Sequence, residues 1–294
     1  MPIIDLEKLE AARTAARALF TKNLLETMTL WQQIAMRTDG SGVDSVVYNW
    51  LENLAKWRKW IGDRQMKSLK AYKYQIFNEK WESTIAVARD DIERDRLNLI
   101  KPRIADMAQG AQRSRDILIF AALTAGFAAL CFDEKAFFAA DHPVGSGTYS
   151  NIIGSGSADP WFLADLSREI KPLILQVETE AELDALDSPT SDHVFLHDEI
   201  LYGGRAKHNA GYGLPILCFG SQDTLDQENY EDGFAAMMSQ RDFDDQPLGV
   251  KPTHLIYGAS NKAAAEALIK TQIIDGTTNV HYQEVQLILS PYLA

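Results

Sequence analysis

Cysteine is scarce: the 294-residue chain has two thiols, Cys131 and Cys218, 87 positions apart and in no CxxC pair. That excludes a disulfide framework or a zinc ribbon, and leaves buried free thiols of a reducing compartment as the expectation. Long apolar runs are missing too. The most apolar stretch, Ile117–Phe132, "ILIFAALTAGFAALCF", has 16 residues, short of the ~20 that cross a bilayer, and reads as a buried helix. The N-terminal "MPIIDLEKLEAARTAARALF" has acids among its first ten residues and no long apolar core, which argues against a secretory signal. A soluble intracellular protein is expected. Positive charge is also short, 29 Lys plus Arg against 41 Asp plus Glu, a net charge of −12. Such a surface is poorly suited as a whole to gripping nucleic acid or an anionic membrane.

The usual catalytic patterns are missing as well. There is no HExxH, no GxGxxG, no GxxxxGK[ST] and no GxSxG. The stretch "FFAADHPVGSGTYSN", residues 137–151, sets Asp141 and His142 before Gly145-Ser-Gly147, with a second Gly154-Ser-Gly156 beyond. Neither glycine spacing matches a phosphate cradle, and Pro143 turns His142 away from helix. The loop reads as a turn that carries no chemistry. His193 and His197 in "DHVFLHDE" have the spacing of helical metal ligands, with Asp198 and Glu199 adjacent. The segment reads as strand, however, where i and i+4 lie ~13 Å apart, too far for one ion. No catalytic residue, cofactor site or metal site is expected.

What is present is an ordered series of elements. Residues 6–37, rich in Ala, Leu, Glu and Arg, predict a helix that stops before "TDGSG". A second helix is predicted over 44–61, with Trp50, Trp57 and Trp60 close to one face. Between Lys67 and Arg89, "KSLKAYKYQIF", "NEK" and "WESTIAVAR" predict a β-hairpin. Pro102 is placed at the start of a long helix running to about Leu130, its apolar stripe interrupted at Arg113–Asp116. Beyond 151 the pattern is mixed: "PLILQVE", "HVFLHDEILY", "LPILCFG", "PTHLIYG" and "EVQLILS" read as strands. "QENYEDGFAAMMSQ" and "SNKAAAEALIK" read as helices, the latter capped by Ser260.

Charge is segregated along the chain. Residues 56–73 hold seven Lys or Arg and one acid, whereas 178–199 and 223–245 hold eight acids each. Interleaved with Trp and Tyr, the basic stretch suits either nucleic acid or an acidic surface of a neighbouring copy.

The stretches "YNWLENLAKWRKWIG", "WESTIAVARDDIERD", "FFAADHP", "LADLSREIKPLILQ", "DHVFLHDEILYGGRAKHNAGYG" and "LGVKPTHLIYGASNKAAAEALI", in this order, resemble the Mu-like phage major head proteins over almost the whole chain. Two departures are local: "DEK" at 133–135 stands where the family tends to have Asp-Gly, and "GLPILCFG" lacks the usual aromatic. The resemblance implies an α+β tailed-phage major capsid fold of the Hong Kong ninety-seven type. Its parts would be an N-terminal arm and helical lead-in (1–62), an extended β-hairpin loop (63–92), a spine helix (93–135), and remaining peripheral and axial α/β elements (136–294).

It further implies a shell protein that assembles with itself as hexamers and pentamers around double-stranded DNA, without sequence-specific binding, catalysis or membrane contact. Scaffold, head protease and portal would be its partners, the virion its destination and the host cytoplasm its place of assembly. Arg58, Lys59, Arg64, Lys67, Lys70, Lys73 and Trp81 are the expected assembly-interface residues. Two alternatives are an encapsulin-like nanocompartment and, on His193, His197 and nearby acids, a metal-dependent hydrolase.

Overall fold

The computed structural model describes residues 6–40, 45–48, 74–93, 97–144, 147–154, 156–188, 190–241, 246–274 and 277–293. Helix α1, Leu6–Glu26, is followed by the single turn α2, Trp31–Ile34, which runs directly into strand β1, Ala35–Asp39. Strand β2, Ser45–Val47, pairs with β3, Gln75–Phe77. Strand β4, Glu79–Ala88, leads through α3, Arg89–Glu93, into the long helix α4, Leu97–Ala125. A small hairpin of β5, His142–Val144, and β6, Gly147–Tyr149, precedes β7, Ile152–Ile153, and β8, Trp161–Ala164. Two 14-residue strands, β9, Leu173–Leu186, and β10, Glu199–Tyr212, form a long hairpin with α5, Asp192–His197, at its turn. The chain closes with β11, Cys218–Ser221, α6, Gln227–Met238, β12, His254–Tyr257, α7, Lys262–Lys270, β13, Ile273–Ile274, β14, Thr277–Thr278, and β15, Gln286–Leu289.

Two sheets organise these elements. The first has the order β1-β9-β10-β4; the second has the order β15-β12-β8-β11-β7. Helices α1 and α4 pack on the first sheet through Phe20, Leu24, Ile104, Met107, Ala108, Ile200 and Tyr202. The second sheet is buried by α6 and α7 through Tyr230, Met237, Ala265 and Ile269 against Trp161, Leu163, Phe219 and Tyr257. A third cluster joins the two halves, where Ile119, Phe120 and Leu123 at the end of α4 meet Phe137, Phe138, Phe162 and Tyr212. Each fully buried aromatic or aliphatic side chain contributes roughly 1.5–3 kcal/mol, so this junction holds the halves together.

The polar interruption in the α4 stripe has a structural cause. Gln112, Arg115 and Asp116 stay on the buried face, and Gln112 and Asp116 satisfy backbone that the other helices leave open. The Gln112 amide donates to the Leu24 carbonyl near the end of α1 at 2.8 Å. The Asp116 carboxylate accepts from the N–H groups of Leu30 and Trp31 at the start of α2, at 3.0 and 2.8 Å. Burial pushes the Asp116 carboxyl upward, and those two N–H groups partly offset the effect. Arg115 pairs with Glu180 on β9 at 2.5 Å.

Several sequence expectations need correction. The N-terminal helix ends at Glu26, and Ala35–Asp39 joins the first sheet in parallel with β9. Residues 45–47 are strand rather than helix, because their backbone pairs antiparallel with β3, and Tyr48 beyond them is buried; residues 49–61, with the Trp stripe, lie outside the described residues. The expected hairpin does not pair β3 with β4. Instead, β4 is zipped along β10 from Ala88↔Glu199 to Glu79↔His208. The long helix starts at Leu97 with Pro102 inside it and stops at Ala125, not Leu130. Its 29 residues still make a rod of ~44 Å. After Gly126 the chain folds back, and Leu130 bridges Ala136 in a tight reversal. "HVFLHDEILY" is split between α5 and β10, and "LPILCFG" between a 3-10 turn, Pro215–Leu217, and β11. The N-cap position of α7 is Asn261 rather than Ser260, and no side-chain hydrogen bond caps the helix there.

Candidate functional site

Of the seven expected interface residues, Arg58, Lys59, Arg64, Lys67, Lys70 and Lys73 lie outside the described residues. Trp81 is on β4, opposite Ala206. Its indole N–H donates to the His208 carbonyl at 3.1 Å, and its ring stacks on the His208 imidazole with centroids 5.6 Å apart and planes 14° apart. The register of β9 and β10 slips between Arg205 and His208, a bulge that re-aims the local side chains. His208 is 1% exposed, and neither ring nitrogen has a hydrogen-bond partner. Burial, reinforced by the Arg115 charge, pushes its pKa down to about 4. Trp81 is thus packed on His208 with part of its ring still exposed, beside a cavity of about 290 Å³ between α4 and β10.

The acidic stretch 178–199 has many partners in its own fold. Glu180 meets both Arg37 and Arg115 at 2.5 Å, and Glu178 meets Lys207 at 2.5 Å. Asp184 pairs with Arg17, and Asp187 lies 3.6 Å from Arg13. The basic side chains come from α1, β1, α4 and β10, so sequence distance hid the pairing. Burial raises the Glu180 carboxyl, yet the hydrogen bond and charge of Arg115, with Arg37, hold it below the ordinary range.

His193 and His197 are brought together. They lie on α5, a helix rather than a strand, with ring centroids 4.7 Å apart. Ser191 caps the helix by accepting from the Val194 N–H, and Asp198 ends it in the left-handed region at φ 53°, which is what stops the segment from continuing β10 inward. The pair sits at the tip of the long hairpin beside Phe195 and Leu196, 81% and 71% exposed. Glu199 is 4.0 Å from His193, but among the described residues this tip does not gather three donor atoms within 4.8 Å of one another.

The glycine-rich loop does bind an anion, but the anion is the protein's own. The Gly156 N–H donates to the Asp223 carboxylate at 2.8 Å, and Gly154, at φ +73°, leaves room for that carboxylate, which a Cβ would overlap.

His142 is 0% exposed and sits in a network that sequence reasoning missed. Its Nδ1 lies 2.6 Å from Asp133 Oδ2, and the Cys131 thiol donates to Asp133 Oδ1 at 3.0 Å. Its Nε2 lies 3.1 Å from Asn151 Oδ1 and 3.2 Å from the Phe137 carbonyl, while Tyr149 stacks on the ring at 4.9 Å. Asn151 in turn donates to the carbonyls of Phe137, Pro215 and Cys218 and accepts from the Ala139 N–H. Burial pushes the Asp133 carboxyl up, but bonds from His142 and Cys131 win and hold it below the usual range; burial and Asp133 drive the Cys131 thiol far up. A thiol held protonated is no nucleophile. The network ties the exit of α4 to β5 and to the edge of the second sheet, and its evident role is shape. The usable signal in the sequence was "C-x-D" nine residues before "H-P".

A long helix laid across a sheet, a long hairpin beside it and a second α/β sheet define the class: this is the fold of tailed-phage major capsid proteins, the Hong Kong ninety-seven type. The procapsid subunit of bacteriophage JBD30 superimposes with a TM-score of 0.90 at 32% identity, covering 99% of this chain and 100% of that one. The JBD30 capsid gives 0.79 at 26% identity, with the same coverage. A family model described as Mu-like prophage major head subunit gpT matches residues 9–293, and the chain belongs to that family. It is 32% identical over 309 aligned residues to the major capsid protein of Escherichia phage Mu, covering 99% of this chain and 100% of the relative. It is also 32% identical over 240 residues to the Mu-like prophage FluMu major head subunit of Haemophilus influenzae, covering 78% of each. Membership in a family of structural head subunits selects the phage-head reading over the nanocompartment and the hydrolase. Among the described residues no helix is long and apolar enough to cross a membrane.

Proposed function

We propose that this major head subunit tiles an icosahedral shell as hexamers and pentamers, assembled in the host cytoplasm with a scaffold, a head protease and a portal, and encloses double-stranded DNA without reading its sequence. The observation that carries this is the end-to-end superposition on the JBD30 procapsid subunit, at TM-score 0.90 with essentially both chains covered. In this reading residues 1–62 are the arm and lead-in, 63–92 the extended loop, 93–135 the spine region, and 136–294 the rest of the peripheral and axial parts. The net charge of −12 suits a wall to which packed DNA does not adhere.

The basic segment, with Arg58, Lys59, Arg64, Lys67, Lys70, Lys73 and neighbouring Trp81, contacts an adjacent subunit. Since Glu178, Glu180, Asp184 and Asp187 are engaged internally, the landing surface draws on the acids of 223–245, of which Glu228 and Asp232 are exposed. Expression with its genomic neighbours, followed by sedimentation and negative-stain microscopy, is expected to give closed shells of uniform diameter. A species that stays monomeric in every condition, scaffold included, overturns the proposal.

A further inference from the structure

Independently of shell assembly, we propose that Cys131, Asp133 and His142 form a binding site for one zinc-class divalent cation. Their donor atoms Sγ, carboxylate O and imidazole N lie within 4.8 Å of one another, and all three side chains are buried. A mixed S/O/N set selects zinc or cobalt rather than magnesium or calcium.

Hydrogen-bond accounting shows which imidazole nitrogen is available. The Asn151 amide is oriented by the three carbonyls its NH₂ faces, at 2.7, 3.1 and 3.1 Å, and by the Ala139 N–H that its Oδ1 accepts at 2.9 Å. His142 Nε2 therefore faces two acceptors, Asn151 Oδ1 and the Phe137 carbonyl, and must carry a proton. Nδ1 is left to face Asp133. Metal-binding histidines are commonly oriented in this way, with the outer N–H anchored to a carbonyl and the inner nitrogen turned to the ion.

The charges balance. Without metal, the thiol is neutral and one proton lies between Nδ1 and the Asp133 carboxylate, so the cluster has no net charge. A divalent ion displaces the thiol proton and the Nδ1 proton. Thiolate, carboxylate and neutral imidazole then offset the two positive charges, two protons leave to solvent, and no net charge is buried. At bond lengths of roughly 2.0–2.3 Å, the 2.6 Å Nδ1···Oδ2 contact opens by about 0.7 Å while the thiol closes in. Asp133 lies in the turn that contains exposed Glu134. The cluster supplies three donors, and a water completes the shell. The bound ion would cross-link the exit of α4 to β5.

The test uses untagged full-length subunit, stripped with a chelator and titrated with Co²⁺. One ion per chain is expected, with tetrahedral visible bands, a thiolate-to-cobalt charge-transfer band in the near ultraviolet, displacement by Zn²⁺ and release of two protons per ion. Cys131→Ser removes the charge-transfer band and weakens binding, because a hydroxyl stays protonated where the thiolate would ligate, while Cys218→Ser keeps both. Cobalt binding without a thiolate band would place the ion elsewhere, for instance on His193 and His197, and overturn the proposal. Absence of uptake, or uptake unchanged in Cys131→Ser, overturns it equally and leaves a purely hydrogen-bonded cluster.

Discussion

Replacing Asn151 with Leu, which has nearly its shape, tests whether the loop after the spine helix is held by directed hydrogen bonds or by packing. Asn151 is 2% exposed, and its side chain reaches five groups: the Phe137, Pro215 and Cys218 carbonyls, the Ala139 N–H and His142 Nε2. Two amide protons and one carbonyl oxygen sustain about four of these at once, each with a net worth of roughly 0.5–1.5 kcal/mol. Some partners retain other bonds: Phe137 O still faces His142 Nε2, and Pro215 O still accepts from the Cys218 N–H. The Ala139 N–H does not gain a replacement from Leu, and a buried orphan donor costs about 1–3 kcal/mol. The expected loss is roughly 3–5 kcal/mol, a large share of the ~5–15 kcal/mol a domain has in total. Urea unfolding of the unassembled subunit, followed by fluorescence, measures it. Asn151→Asp separates the causes, since it keeps the volume but turns a donor into an acceptor facing carbonyls. It is expected to cost at least as much as Leu. A loss below about 1 kcal/mol for Leu, or a harmless Asp, would refute the reasoning and show that water or packing holds the loop.

Four further outcomes are expected. His208 has a folded pKa pushed down to about 4 from 6.5, so its contribution is complete above pH 6.5 and is lost as the pH falls toward 4, by up to about 3 kcal/mol; His208→Phe should flatten that part of the stability profile, and an unchanged profile would show the ring is solvated. Glu134 holds a left-handed backbone at φ 64° where the family tends to have glycine, so Glu134→Gly should raise the melting midpoint by an amount equivalent to at most about 1 kcal/mol; a lower midpoint would count against strain there. Reversing Lys67, Lys70 and Lys73 to Glu should leave the subunit folded by circular dichroism and slow or block shell formation, and added salt should weaken wild-type assembly; normal shells from the triple variant would assign docking to apolar side chains. Changing His193 and His197 to Ala should alter neither melting nor shell formation, because the pair is at an exposed tip where, among the described residues, no third donor joins them within 4.8 Å; loss of stoichiometric zinc from the double variant would refute that.

Much of the second half of the chain was legible because its signals are local. The short apolar runs "PLILQVE", "PTHLIYG" and "EVQLILS" and the helical stretch "QENYEDGFAAMMSQ" appear as β9, β12, β15 and α6; β9 and β12 are apolar at consecutive positions because layers cover both of their faces there. The α4 stripe is legible too as far as Ala125, together with its interruption at Arg113–Asp116. That Gln112 and Asp116 serve the ends of α1 and α2, 85 to 88 residues away in sequence, was not, because the need they meet belongs to another helix. Strand pairing was equally invisible. A β4 that looks ready to fold back on β3 pairs with β10 instead, since ladder hydrogen bonds are generic and only the surrounding layers choose the partner. The acids of 178–199 have no Lys or Arg among them in sequence, and only the fold delivers arginines to them from α1, β1 and α4. Composition and local periodicity determined by themselves what this protein is built from, and ordered motifs along the chain determined its family. Tertiary structure alone decided which charges are spent internally, that His193 and His197 share a helix, and that Cys131, Asp133, His142 and Asn151 meet. Such meetings arise when separate turns close in space, and a linear pattern has no term for that distance.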